Sequence, residues 1–422
     1  MPKSSPPDRW AVGPRFRSLD DAAKRFADPL DNGTYLRNGH AGLERLADRI
    51  TALEGGTMGV AVSTGQAANA LLFSVLLTSG DAVIASRHVF GGTFALLKLL
   101  GTQGVKVFWA DPAEPTTFES ALQEAGESVR LVFTESVSNP DGRVADLDAI
   151  AALAHKARVP LAVDNTLGFG ACRPIKHGAD IVTVSLTKLV AAQNDVMGGM
   201  IVDAGTFPHW QAPRFPALSS PQAPGGPSIA EEFGPKAFAV AARKRGSLLG
   251  PTLGLRDADL LVRRLAGLKA RLSRQEANAK ALAKFLSKHP AVKTLRGAGL
   301  DADAANTARA QRTMPKARVG TVLLVTLAGG RPALARFFQR LKVITHRANI
   351  GQADTLVIEP ATTTHRQFGP EERARAGIED GTVRLSVGIE PLATLIKDLS
   401  QALAEPTPAR RRAAPPKAKA SR

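Results

Sequence analysis

The chain of 422 residues has a single cysteine, Cys172, which excludes an internal disulfide and any metal site built from clustered thiolates. No apolar run approaches the roughly 20 residues needed to cross a bilayer. The opening stretch MPKSSPPDRWAVGP lacks the apolar core of a secretion signal. A globular, cytoplasmic protein with no membrane partner is expected. Zinc-ligand spacings, the phosphate-binding P-loop and the nucleophile elbow are also missing, so no metal is expected and those chemistries are set aside.

Acidic residues are in deficit: 38 stand against 55 Lys and Arg, giving a formal net charge of +17. Such an excess points to nucleic acid when it lies on one folded face. The stretch EPTPARRRAAPPKAKASR at 405–422 holds +5 of it in a composition with nothing to bury, and reads as a disordered tail. The remaining +12 is spread along an Arg- and Ala-rich chain. A basic background is the preferred reading, and clusters such as ARKRG at 242–246 keep a nucleic-acid partner open.

What the chain does have is alternation. From about Thr57 the short runs MGVAVST, DAVIAS, VKVFWA, VRLVFTE, PLAVDNT, IVTVSL and GGMIVD are separated by stretches of helical spacing such as ADLDAIAALAHKAR. Nearly continuous apolar strands joined by helices imply an α/β domain with a doubly wound, mostly parallel sheet covered on both faces. The passage FPHWQAPRFPALSSPQAPGGPS at 207–228 is long for a structureless loop and reads as functional or mobile. A long helical region from about Pro235 follows, and GTVLLVTLAGG, TLVIEP and VRLSVG then outline a smaller C-terminal α+β domain. The expected organisation is a short arm at 1–34, an α/β domain at 35–250, the α+β domain at 251–404 and the basic tail.

Ligands of open α/β sheets bind beyond the carboxyl ends of the strands. There, VAVSTGQAAN runs from a strand into a helix start whose Gly65 and Gln66 offer amides to an anion, although any helix start looks similar. FTESVSNPDGR carries Asn139 before Pro140, which is also ordinary turn chemistry. LAVDNT ends a buried strand on Asp164, where an unpaired carboxylate is costly and wants a cation. IVTVSLTK sets Lys188 beside Ser185 and Thr187, as either a surface amine or a desolvated nucleophile. Together with Phe90 in HVFGGT, these residues meet the needs of pyridoxal 5′-phosphate: an amine for its aldehyde, an acid at its ring nitrogen, a phosphate cradle and a planar group against the ring.

The ordered series TYLRNGHAGLERLADRITALEGG, STGQAAN, FGGT, SNPDGRVADL, GADIVTVSLTK, GGMIVD, EPATTTHRQF and VRLSVGIEP resembles the Cys/Met-metabolism pyridoxal-phosphate enzymes from about Tyr35 to Leu403. RFPALSSP, EEFGPKAFAV and THRANIGQADTLVIEPATTTH are similar to the O-acetylhomoserine sulfhydrylase branch. The resemblance implies a fold-type I architecture. It implies that Lys188 bonds the cofactor and shuttles protons, Asp164 pairs with the ring nitrogen, Asn139 meets the ring hydroxyl and Phe90 stacks on the ring. Gly65, Gln66, Ser185 and Thr187 would surround the phosphate, joined by Tyr35 and Arg37 from the neighbouring subunit of a dimer or tetramer with shared sites. Arg384 would grip the substrate carboxylate near Asn349 and Thr363. The implied reaction is γ-replacement on an activated homoserine by sulfide or a thiol. A γ- or β-lyase acting on methionine or cystathionine, and a catalytically degenerate binding protein, are the alternatives. Four departures stand out: Phe90 replaces the usual tyrosine, GHA at 39–41 replaces NPT, Ala191-Ala192-Gln193 replaces Gly-Gly-His, and Glu359 replaces a histidine.

Overall fold

A computed structural model describes residues 10–28, 30–31, 33–300, 302–316 and 318–404; the tail at 405–422 lies outside the described residues. All seven runs form strands of one sheet: β1 (Met58–Val62), β2 (Ala82–Ser86), β3 (Lys106–Ala110), β4 (Val129–Glu135), β5 (Leu161–Asp164), β6 (Ile181–Ser185) and β7 (Gly199–Asp203). Their order is β1-β7-β6-β5-β4-β2-β3. Strands β2 to β6 run parallel, and β7 is antiparallel to both β6 and β1. Successive side chains enter opposite cores: Leu131 and Phe133 join one hydrophobic cluster, and Val132 between them joins the other. Burial on both faces is why these strands read as unbroken apolar runs.

A second sheet holds β8 (Val292–Arg296), β9 (Val322–Leu327), β10 (Thr345–His346), β11 (Leu356–Ile358) and β12 (Thr382–Ser386), in the order β10-β11-β12-β9-β8. The model is thus α/β, with a mostly parallel large sheet and a smaller sheet domain. β12 pairs antiparallel with β11, setting Arg384 opposite Ile358. The expected long helical region is in fact three helices, Ala237–Leu249, Leu255–Leu265 and Leu268–Leu286. The first stops at Gly250, whose φ of 81° is open to glycine at no steric cost. The third passes between cores, with Leu268 and Leu272 in the large-sheet cluster and Ala279, Leu282 and Leu286 in that of the small sheet.

Two expectations are corrected by packing. The proline-rich passage is anchored: Phe207, Trp210, Phe215 and Leu218 are buried, and the Trp210 ring lies 5.2 Å from Phe215 and stacks at 5.6 Å on Phe238. Within ARKRG, Arg243 faces inward, donating to Glu44 at 2.7 Å and to the Asn38 carbonyl at 2.9 Å, so it belongs to no basic surface. The GHA departure also has a local reason. His40 caps the helix Ala41–Glu54 by accepting from the Gly42 N–H at 2.9 Å. Burial lowers the His40 pKa and so keeps the ring neutral and able to accept. No helix among the described residues is long and apolar enough to cross a membrane.

Candidate active site

The carboxyl ends of β4, β5 and β6 meet β12 around a cavity of about 260 Å³. Lys188 enters it from the turn after β6, and its Nζ donates to Asn349 Oδ1 at 2.8 Å. Burial, then the nearby charge of Arg384, brings the amine's pKa down to about 8. An ordinary lysine is almost wholly protonated at that pH; this one is half neutral there, as a nucleophile and proton acceptor requires.

Asp164, the last residue of β5, is half-buried at the cavity wall, and loss of solvent raises its pKa. One oxygen accepts from the Thr166 N–H at 2.9 Å and the other from Asn69 Nδ2 at 3.2 Å. No cation among the described residues pairs with it. A half-buried carboxylate lacking a counter-ion fits a cationic ring nitrogen.

Arg384 presents the complementary situation. It is 3% exposed; Nη1 donates to Asn139 Oδ1 at 3.0 Å and Nη2 to the Asn349 carbonyl at 3.3 Å. Its Nε is buried with no partner among the described residues, and no carboxylate pairs with it. Burial lowers its pKa only to about 10, so it stays charged near neutrality. A guanidinium short of a counter-ion in a cavity has the charge and fork geometry that fit a carboxylate.

The phosphate side is built by close approach. The helix Gly65–Leu76 starts against β6, and a Cβ on Gly65 would lie 2.4 Å from that of Ser185. Glycine therefore lets the helix amino end, with its unpaired amides and positive dipole, border the cavity together with Gln66, Ser185 and Thr187. Gln66 is steadied by donating to the Gly92 carbonyl at 3.0 Å, and Thr187 by accepting from the Gly198 N–H at 3.1 Å. Phe90, 40% exposed, also borders the cavity.

Glu135 on β4 stands level with Asp164 across the β4–β5 pairing and was not foreseen from sequence. It accepts from the Phe90 N–H at 2.6 Å and the Asn139 N–H at 3.3 Å, so it ties the Phe90 segment to the Asn139 loop. Burial, then the Asp164 charge, raises its pKa well above the carboxylate range. Asn69 is a second residue the sequence did not flag.

Three expected residues lie elsewhere in the chain. Tyr35 is 42% exposed, Arg37 sits over its ring at 5.6 Å and donates to the Ser247 carbonyl, and neither borders the Lys188 cavity. Thr363 is exposed and bonds to the Glu359 carbonyl; its neighbour Thr364 lines the cavity instead.

The turn at 191–195, where Gly-Gly-His is replaced, is held by Arg264. That guanidinium meets both oxygens of Asp195 at 2.5 Å, Gln193 Oε1 at 2.8 Å and the Ala191 carbonyl at 2.6 Å. Ala192 has a φ of 60°, a left-handed conformation that costs a residue with a Cβ about 1–2 kcal/mol. Asn194, with a φ of 55°, accepts from Asn349 Nδ2 at 2.5 Å. The altered turn is thereby linked to the residue that touches both Lys188 and Arg384.

Comparison with known proteins agrees with this chemistry. The family described as Cys/Met metabolism PLP-dependent enzyme matches residues 15–404. O-acetyl-L-homoserine sulfhydrylase 1 of Thermus thermophilus is 39% identical over 395 residues, covering 92% of each chain. Homocysteine synthase of Schizosaccharomyces pombe is 35% identical over 404 residues, covering 92% of this chain and 91% of its own. Among solved structures, a putative O-acetylhomoserine (thiol)-lyase from Campylobacter jejuni superposes with a TM-score of 0.88 at 29% identity, over 94% of this chain and 95% of its own. That structure carries N′-pyridoxyl-lysine-5′-monophosphate. A lone amine, an unpaired acid, an unpaired guanidinium and a glycine-tight helix start fit the same cofactor here. The chain belongs to the Cys/Met-metabolism pyridoxal-phosphate-dependent enzymes, with pyridoxal 5′-phosphate as its cofactor.

Proposed function

We propose that the protein exchanges the γ-substituent of an activated homoserine, taking O-acetylhomoserine and sulfide or a small thiol to homocysteine or a thioether with release of acetate. The observation that carries this reading is the pairing of a largely buried Lys188, whose pKa is lowered, with an uncompensated Arg384 in one cavity, in a chain whose relatives include O-acetyl-L-homoserine sulfhydrylases at 33–39% identity. Arg384 binds the α-carboxylate and so orients the amino acid. Lys188 takes the protons of Cα and Cβ and returns them, steps that contribute about 10²–10⁴-fold each in general. The bound cofactor supplies the electron sink that makes those protons acidic. Asp164 keeps the ring nitrogen protonated, and the helix start at Gly65 holds the phosphate. Removal of the Cβ proton expels acetate from Cγ, and sulfide or the thiol then adds at that carbon as Lys188 returns the protons.

Lys188, Asp164 and the phosphate side come from before residue 250, and Asn349 and Arg384 from after it, which supports a division into a cofactor-binding part at 35–250 and a substrate-binding part at 251–404. The exposed Tyr35 and Arg37 gain a role when a second copy presents them to this chain's phosphate side, which supports a homo-oligomer with shared sites. One buried thiol supports a reducing cytoplasmic setting. Incubation with O-acetylhomoserine and sulfide is expected to yield homocysteine at a rate far above a Lys188→Ala control. Oxo acid released equally with and without sulfide would assign the protein to the lyases instead.

A further inference from the structure

We infer that Asn69 is a positioning residue for Asp164, orienting the carboxylate that would meet the cofactor's ring nitrogen; the inference rests on the cofactor reading of the site. Asn69 lies inside the helix Gly65–Leu76 at 2% exposure, and the other buried residues of that helix are all apolar. An amide buried without partners is costly, yet both ends of this one are used. Its Oδ1 accepts from Thr183 Oγ1 at 2.7 Å, and its Nδ2 donates to Asp164 Oδ2 at 3.2 Å, with Thr93 Oγ1 at 3.4 Å.

The direction of the amide is fixed by geometry. Thr183 stands level with Asp164 in the β5–β6 pairing, so strand and helix close a triangle of the buried Asn69 and Thr183 with the half-buried Asp164. With the amide oxygen turned to the threonine hydroxyl, the NH₂ must face the carboxylate; the reverse orientation would set a carbonyl oxygen against an anion. Thr166 serves the other carboxylate oxygen. Asp164 thus has a donor on each oxygen, which favours its charged form and leaves lone pairs for a cation in the cavity. A merely structural asparagine would have no reason to favour a ligand that carries a ring nitrogen.

The test compares two ligands for the apo chain: pyridoxal 5′-phosphate, and its carbocyclic analogue with C–H in place of the ring nitrogen. Dissociation constants are read by absorbance for the wild type, Asn69→Leu and Thr183→Val. Asn69→Leu is expected to weaken binding of the cofactor about tenfold and of the analogue less than twofold, the scale of one hydrogen bond to a charged group. Thr183→Val is expected to show the same selectivity with about a threefold loss, and it carries the test alone if Asn69→Leu does not fold. Equal losses for both ligands, or none for the cofactor, would overturn the inference. No amino-acid substrate enters the measurement, so its outcome is independent of whether O-acetylhomoserine is turned over. A wild-type chain that bound neither ligand would overturn the cofactor reading along with it.

Discussion

Lys188→Ala is expected to lower turnover by at least about 10⁴-fold, the largest effect of any single change at this site. In the proposed mechanism the lysine has two separate tasks, holding the cofactor covalently and moving the Cα and Cβ protons, and alanine removes both. Folding should survive, because the amine's one hydrogen bond is to Asn349, which keeps Ile350 and Asn194 as partners. The depressed amine pKa of about 8 makes a further, quantitative expectation. The lysine attacks an aldehyde only when neutral, so capture of pyridoxal 5′-phosphate by the apo chain should rise with pH and reach its half-maximum near pH 8. At that pH Lys188 should react on the order of 100-fold faster than an ordinary lysine, which is neutral in well under one molecule in a hundred. Stopped-flow absorbance checks this; a half-maximum near 10.5 would mean the amine is not desolvated.

Arg384→Lys is expected to reduce kcat/KM by roughly 30- to 1000-fold, about 2–4 kcal/mol, mostly through KM. The guanidinium is pre-oriented by Asn139 and the Asn349 carbonyl, so it offers a carboxylate two donors without reorganising. An ammonium is a point charge on a flexible stem and cannot reproduce the fork. Cofactor affinity should change little, since Arg384 supplies nothing to the phosphate. Steady-state kinetics beside a cofactor titration separates the two; a tenfold or greater fall in cofactor affinity would assign the arginine to the cofactor instead.

The large sheet was legible because burial on both faces leaves little choice of residue: β-branched runs ending on polar side chains give the seven strands directly. Lys188, Asp164, Gly65 and Gln66 were legible for a related reason, as polar or small residues at the ends of apolar strands. The small sheet was harder. β8 has no fully buried residue and no regular alternation, and β10 is two residues long, so neither carries much pattern. Asn69 escaped notice because one polar residue in a helix reads as a solvated position, and only the packing of that helix against β5 and β6 shows that it faces a carboxylate. Glu135 lay within a quoted strand, but its two backbone partners are 45 and 4 residues away, on loops that sequence does not place. Thr363 was one residue off: three consecutive threonines leave sequence no means of telling which faces the cavity. Tyr35 and Arg37 lie away from the cavity of their own chain, and only the proposed second copy would give them a place at a site.

The central claim is that the cavity around Lys188 is where the cofactor is bound and the chemistry is done. Borohydride reduction of the cofactor-loaded protein, followed by proteolysis and mass spectrometry, tests it most directly. The prediction is one pyridoxylated peptide, the one containing Lys188, formed in a 1:1 ratio to chains and absent when O-acetylhomoserine is added before the reductant. Label on another lysine, or on none, would contradict the account.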